Sequence, residues 1–162
     1  MVCAVSCSKN FGLYRERTGA LHLIGATHAA ADAALSNMVK IARGIWSMPP
    51  DHGAAVVHGV LADATLRHSW ESELAAMRIR ITALRAAVVR ALREHCPQRD
   101  FGFIARQRGL FSFLGISTAQ VRELRARHHI YMTDDSRMNV AGLRAGNIEY
   151  FARAVAEVLG HR

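Results

Sequence analysis

Residues 63–97 read DATLRHSWESELAAMRIRITALRAAVVRALREHCP, and this stretch organises everything on either side of it. Leu66, Trp70, Leu74, Met77, Ile81, Leu84, Val88 and Leu92 recur at spacings of three or four, which places them on one face of a helix. Asp63 is suited to cap the start, and Pro97, with no N–H to donate, ends the helix after Cys96. The predicted helix is roughly 32 residues long, or about 48 Å at 1.5 Å per residue. Arg67, Arg78, Arg85 and Arg93 share its other faces with Glu71 and Glu73. Acidic residues that interrupt a basic stripe mark a packed helix with a solvated flank rather than a nucleic-acid-binding one.

Upstream, residues 2–6 (VCAVS) read as a short buried strand. Its run into Cys7-Ser8-Lys9 leaves polar groups at the strand's C-terminal end, where open α/β sheets place ligands. A second strand is predicted over 21–24, after a turn at Gly19. Thr27 is a plausible N-cap for a helix over about 29–43, and a shorter helix over 51–61 follows the break at Pro49-Pro50. Downstream, apolar runs at 101–105 and 110–114 flank a turn at Gln107-Arg108-Gly109. A helix is predicted over 118–128, strands over 130–132 and 138–140, and a closing helix over 147–159 with Ile148, Phe151, Val155 and Val158 on one face. Strand and helix alternate, so the class is α/β or α+β. A long helix between two such clusters predicts parts of two domains joined by a shared rod, with boundaries at 1–62, 63–96 and 97–162.

Apolar residues make up 51% of the 162-residue chain, ample for a packed core, so disorder is not expected. The formal charge is +8. Such a balance suits a nucleic acid or an acidic lipid, but also a basic piece of a larger, more neutral protein. No RNA- or DNA-binding motif accompanies it, which favours the second reading. Cys3, Cys7 and Cys96 form no even framework and no C-x-x-C pair, and the nine histidines lack ligand spacing, so neither disulfides nor a metal site are expected. The opening MVCAVSC lacks the basic flank of a signal peptide, and no run of ~18 apolar residues is long enough to span a membrane. A cytoplasmic protein is the expectation, with neither membrane nor nucleic acid as partner.

Only two of the 21 basic residues, Lys9 and Lys40, are lysine. Arginine serves wherever charge alone suffices, whereas only a lysine amine condenses with an aldehyde. Lys40 reads as an ordinary surface residue. Lys9 lies in Ser6-Cys7-Ser8-Lys9-Asn10-Phe11-Gly12-Leu13-Tyr14-Arg15-Glu16-Arg17. Ser6-x-x-Lys9 by itself also matches a serine β-lactamase motif, but the S-D-N and K-T-G partners of that motif do not occur.

Taken whole, the segment closely resembles the cofactor-lysine segment of aspartate and aromatic aminotransferases, which use pyridoxal phosphate. The resemblance implies that Lys9 bonds covalently to the cofactor and later shuttles a proton at the substrate Cα. It likewise implies that Ser6 and Arg17 hold the cofactor phosphate. Arg43, in ARGIWSMPPDHGA, is similar to the arginine that reaches into a neighbouring subunit's site to bind a distal carboxylate. Ile45, Trp46 and Met48 beside it replace more polar residues of aspartate-type members and fit an aromatic substrate. Arg137, in SRMNVAG, resembles the arginine that grips the substrate α-carboxylate, and Phe111-Ser112-Phe113 resembles a strand near the substrate.

The fold so implied is the C-terminal portion of the type I pyridoxal-phosphate transferase fold. It comprises the end of the large domain (1–62), a connecting helix (63–96) and the small α/β domain (97–162). The implied activity is transamination between an aromatic or acidic amino acid and a 2-oxo acid. The implied assembly is a homodimer, or a complex with an N-terminal partner chain. The resemblance covers the last two-fifths or so of a family member, and the acid that pairs with the cofactor's ring nitrogen belongs to the part upstream. A catalytically inactive remnant is therefore the alternative reading, with a basic nucleic-acid-binding module behind it.

Overall fold

The structure is a computed structural model that describes residues 1–160. It divides into two compact units, Met1–Leu74 and Ala75 onward.

The first unit opens with an antiparallel hairpin of β1 (Val2–Ser6) and β2 (Gly19–Leu23), in register from Val2↔Leu23 to Ser6↔Gly19. Glycine at 19 is required, because a Cβ there would lie 2.4 Å from the Val5 carbonyl oxygen. Helix α1 (His28–Trp46) begins where Thr27 accepts the Ala30 N–H at 3.2 Å, the predicted cap. It runs three residues past the expected end at 43, until Ser47 turns the chain with φ 65° and donates to the Arg43 carbonyl. Helix α2 (His52–Ala62) follows the two prolines. Phe11 stacks on Trp70 at 4.6 Å, and the Trp70 indole donates to the Asn10 carbonyl at 2.8 Å. Through Trp70 the start of the long helix closes the loop between the two strands.

One expectation here is overturned. Residues 2–6 were predicted to be buried, yet all five are exposed. The reason is physical: the ribbon is a sheet of only two strands among the described residues, and so small a sheet leaves both sets of alternating side chains of β1 in solvent.

Helix α3 (Ala64–His95) has 32 residues, with the Asp63 carboxylate accepting from Thr65 and Leu66 N–H at 2.8 and 2.9 Å. Its apolar stripe is buried only in part. Leu66 and Met77 are 52% and 46% exposed, whereas Val88 and Leu92 are fully buried in the second unit. The buried face of that half also takes in Arg85, Val89 and Ala91, which the stripe did not include.

The second unit packs α3 against α4 (Phe103–Arg106), α5 (Thr118–His128), α6 (Ala145–Val158) and a second ribbon. Ile104, Leu114, Val121, Leu124, Val140 and Val155 are fully buried in this core. Each such side chain stabilises by about 1.5–3 kcal/mol relative to exposure. The ribbon pairs β3 (Phe111–Phe113) with β4 (Arg137–Asn139), setting Phe111↔Asn139, Ser112↔Met138 and Phe113↔Arg137. Ser112 and Met138 point into the core, and the residues flanking them point out, as a strand period of two requires.

Two predicted elements of this half differ. Residues 130–132 form no strand: the Ile130 N–H closes α5 by donating to the Leu124 carbonyl, and the Met132 carbonyl accepts from Arg125. Those backbone groups are thus spent on the helix end rather than on a neighbouring strand. The apolar run at 101–105 leads into α4. The strand predicted at 138–140 is shifted back to 137–139, because the Asn139 side chain accepts the Ala141 N–H and starts a 3-10 turn over Val140–Gly142.

Candidate functional site

The end of β1 and the loop that joins it to β2 hold three of the residues singled out from sequence. At the end of β1 the Ser6 hydroxyl accepts the Ser8 N–H at 3.2 Å and donates to the Ser8 hydroxyl at 3.0 Å, turning the chain. Lys9 follows on that turn and is exposed, with Nζ 4.5 Å from the centre of the Tyr14 ring, a cation–π distance. The Tyr14 carbonyl in turn accepts from Arg17 Nη1 at 3.0 Å. Tyr14 therefore touches the lysine with its ring and the arginine with its backbone.

Arg17 has φ 53°, in the left-handed region. A non-glycine residue there costs roughly 1–2 kcal/mol, so surrounding contacts must hold it. The loop is tied at its neck, where the Cys7 N–H donates to the Thr18 carbonyl at 3.0 Å and Ser6 pairs with Gly19. Hydroxyl, amine and guanidinium are thus presented by one loop whose two ends are fixed together. Such a set suits a small ligand carrying an aldehyde and a phosphate. Arg43 lies in the last turn of α1, exposed, in the same unit.

Arg137 belongs to the second unit, on the exposed face of the β3–β4 ribbon. Its guanidinium carbon is 5.2 Å from the centre of the Phe111 ring, and its strand partner is Phe113. Ser136, just before it, has φ 66° and is buried, its hydroxyl accepting the Gly115 N–H at 3.0 Å. Asp135 accepts the Arg137 N–H at 3.1 Å, and hydrogen bonds from the Thr133 hydroxyl and then from Arg137 hold its carboxyl below the ordinary aspartate range. The result is a guanidinium on a rigid ribbon, flanked by aromatic rings and open to solvent. It offers a planar fork for a carboxylate.

Sequence reasoning missed one residue that shapes this ribbon. Arg85 of α3 is 2% exposed, and its guanidinium donates to the carbonyls of Ile104, Gly109 and Phe111 at 2.8, 2.8 and 2.9 Å and to the Ser112 hydroxyl at 2.5 Å. Desolvation lowers its pKa from the ordinary arginine value. A signal did exist: Arg85 is three residues before Val88 and four after Ile81, on the edge of the apolar stripe. Among the described residues no group of three or more His, Cys, Asp or Glu is placed to hold a metal. No described helix is long and apolar enough to cross a membrane.

The sequence family described as aminotransferase class I and II matches residues 1–155. The tyrosine aminotransferase of Rhizobium meliloti is 49% identical over 141 residues, 87% of this chain and 36% of that protein. The aspartate aminotransferase of Escherichia coli is 43% identical over 159 residues, 98% of this chain and 40% of that protein. Among solved structures, the aromatic-amino-acid aminotransferase from Burkholderia pseudomallei, covalently bound to pyridoxal phosphate, superposes with a TM-score of 0.84 at 43% identity. The match covers 98% of this chain and 40% of that one. The fold is a mixed α/β, mostly helical portion of the type I fold. The chain spans about 40% of the length of most of these relatives.

Proposed function

Because the chain belongs to the class I and II aminotransferase family, we propose that it carries the lysine loop and the carboxylate-binding arginine of a transaminase. The reaction exchanges an amino group between an aromatic or acidic amino acid and a 2-oxo acid, with pyridoxal 5′-phosphate as cofactor. One observation carries the proposal: Ser6, Lys9 and Arg17 share a loop whose neck is closed by the Ser6–Gly19 pairing and the Cys7–Thr18 hydrogen bond.

The donor set fits the cofactor. A primary amine is what its aldehyde needs, and a hydroxyl with a guanidinium is what its phosphate needs. When bound, the cofactor supplies an electron-accepting ring that stabilises negative charge at the substrate Cα. Lys9 Nζ would hold the aldehyde and would move the proton at the substrate Cα. Ser6 and Arg17 anchor the phosphate. Arg137 binds the α-carboxylate through two parallel N–H donors, which orients the amino acid. Arg43 binds a distal carboxylate, and the apolar Ile45, Trp46 and Met48 near it suit an aromatic side chain.

The same reading assigns residues 1–62 to the cofactor-binding domain, 63–96 to a connecting helix and 97–162 to a small substrate-side domain. It also calls for a second polypeptide, either a homodimer partner or an N-terminal partner chain, in the cytoplasm. What supports a second polypeptide is bare apolar surface on the first unit: Val2, Leu21, Leu35, Ile41 and Ile45 are all more than half exposed.

Borohydride trapping tests the lysine. Incubation with pyridoxal phosphate, reduction and peptide mapping are expected to place the label on Lys9. Label on Lys40 instead, or on neither lysine, would overturn the assignment.

A further inference from the structure

Both neighbours of Arg17 are gripped by the first turn of α2. His52 Nδ1 lies 2.9 Å from Glu16 Oε2, a contact between residues 36 apart in sequence. Next to it, Gly53 is buried beneath the same loop: a Cβ there would stand 1.9 Å from Thr18 Oγ1 and 2.8 Å from Glu16 Cβ. No other residue permits so close an approach without displacing Thr18 and Glu16. Thr18 continues the tie, its hydroxyl donating to the Glu16 carbonyl at 3.3 Å and its carbonyl accepting from Cys7 at 3.0 Å.

Between these two held residues Arg17 sits at φ 53°. A left-handed arginine persists only where its surroundings over-determine it. Here the surroundings are Glu16 on one side and Thr18 on the other, both pressed against α2. Resting on the reading in which Arg17 anchors the cofactor phosphate, we propose that Glu16, His52 and Gly53 are positioning residues that aim the Arg17 guanidinium at that phosphate. They touch neither cofactor nor substrate. Their effect is to pre-organise the backbone of a long side chain whose guanidinium rests on the Tyr14 carbonyl, so that binding the phosphate does not have to order it.

The test separates the phosphate's share of binding from the rest. The full 162-residue chain is titrated with pyridoxal phosphate and with pyridoxal, which lacks the phosphate, and the ratio of the two affinities is compared across variants. Arg17→Ala is expected to collapse the ratio. Glu16→Gln, nearly isosteric, is expected to lower it by about fivefold, the upper reach of a partly exposed ion pair, with the affinity for pyridoxal unchanged. Gly53→Ala is expected to lower it further. His52→Gln, which keeps a donor toward Glu16, should retain more of the ratio than His52→Ala. A merely structural role would weaken both ligands together, and that result overturns the inference. So does an unchanged ratio in Glu16→Gln and Gly53→Ala when Arg17→Ala has lost it, an outcome that leaves the cofactor reading standing. A parent chain that binds both ligands equally overturns the cofactor reading and this inference with it. Circular dichroism of each variant shows whether the fold is kept, and Glu16→Gln decides the matter if Gly53→Ala unfolds.

Discussion

Arg85 carries its charge to a position 2% exposed and meets neutral acceptors there: the carbonyls of Ile104, Arg108, Gly109 and Phe111 and the Ser112 hydroxyl, with Nε unpartnered among the described residues. Three of its partners lie in the turn and strand over 109–112, so this one side chain bolts β3 to α3. Arg85→Met would fill most of the volume but leave those acceptors buried and unpaired. Hydrogen bonds to a charged group contribute about 1.5–3 kcal/mol each and are not additive, so a net loss of roughly 3 kcal/mol is expected. Urea unfolding followed by far-ultraviolet circular dichroism measures it; a change under about 0.5 kcal/mol would mean that solvent or relaxation satisfies the acceptors as well as Arg85 does. The place of Arg85 at the edge of the apolar stripe signals its burial, but nothing local announces its acceptors, which tertiary packing brings to it. Ser6, Lys9 and Arg17 are the opposite case: all three lie within a dozen residues, so the loop that gathers them is readable from one segment. Glu16 and His52 fall between the two, in the segments that also hold Lys9 and Arg43. Their pairing depends on how α2 folds back onto the loop.

At the scale of elements, what was legible followed from local signals. Helix α3 matches its predicted span because Asp63 caps one end and Pro97 forbids continuation at the other, both properties of single residues. The capping box of Ser117 and Gln120 likewise fixes the start of α5 where expected. What was illegible depended on neighbours: whether β1 is covered, and whether residues 130–132 find a strand to pair with. The attachment of α2 to the lysine loop is also a matter of neighbours, and it is expected to depend on pH. Glu16 raises the His52 pKa above 6.5, first by its hydrogen bond and then by its charge, and Asp51 adds to this. A histidine whose folded pKa exceeds its unfolded value contributes stability that is complete below the unfolded value and is lost as pH rises through the folded one. The α2–loop contact is therefore expected to be tightest below pH 6.5 and to loosen at higher pH. An NMR titration of the His52 ring should give a midpoint above 6.5 that returns toward that value in Glu16→Gln. A parent midpoint at or below 6.5 would rule out the pair in solution.

For the molecule as a whole, the balance between what is built and what is bare decides what the 162-residue polypeptide does by itself. The second unit has a continuous core, with Val88, Leu92, Ile104, Leu124 and Val155 fully buried. The first unit does not match it: α1 buries no residue, α2 buries only Gly53, and β1 is exposed along its length. The lysine loop hangs from that hairpin, and Lys9 and Arg17 are both exposed. Unpaired strand edges and uncovered apolar faces give such a loop local openings of low free energy. Proton transfer at a substrate Cα demands more than this, since misplacing the amine by an ångström can cost ~100-fold. The purified polypeptide, given pyridoxal phosphate, 2-oxoglutarate and tyrosine, phenylalanine or aspartate, is accordingly expected to show little or no turnover, even though the loop still takes up the cofactor. Activity should appear only when a second polypeptide covers the hairpin and α1, and the same contact should slow hydrogen exchange in the β1–β2 ribbon. Robust turnover by the polypeptide unaided would mean that the loop orders itself around the cofactor. In that case the ribbon's amides should become protected on adding pyridoxal phosphate alone.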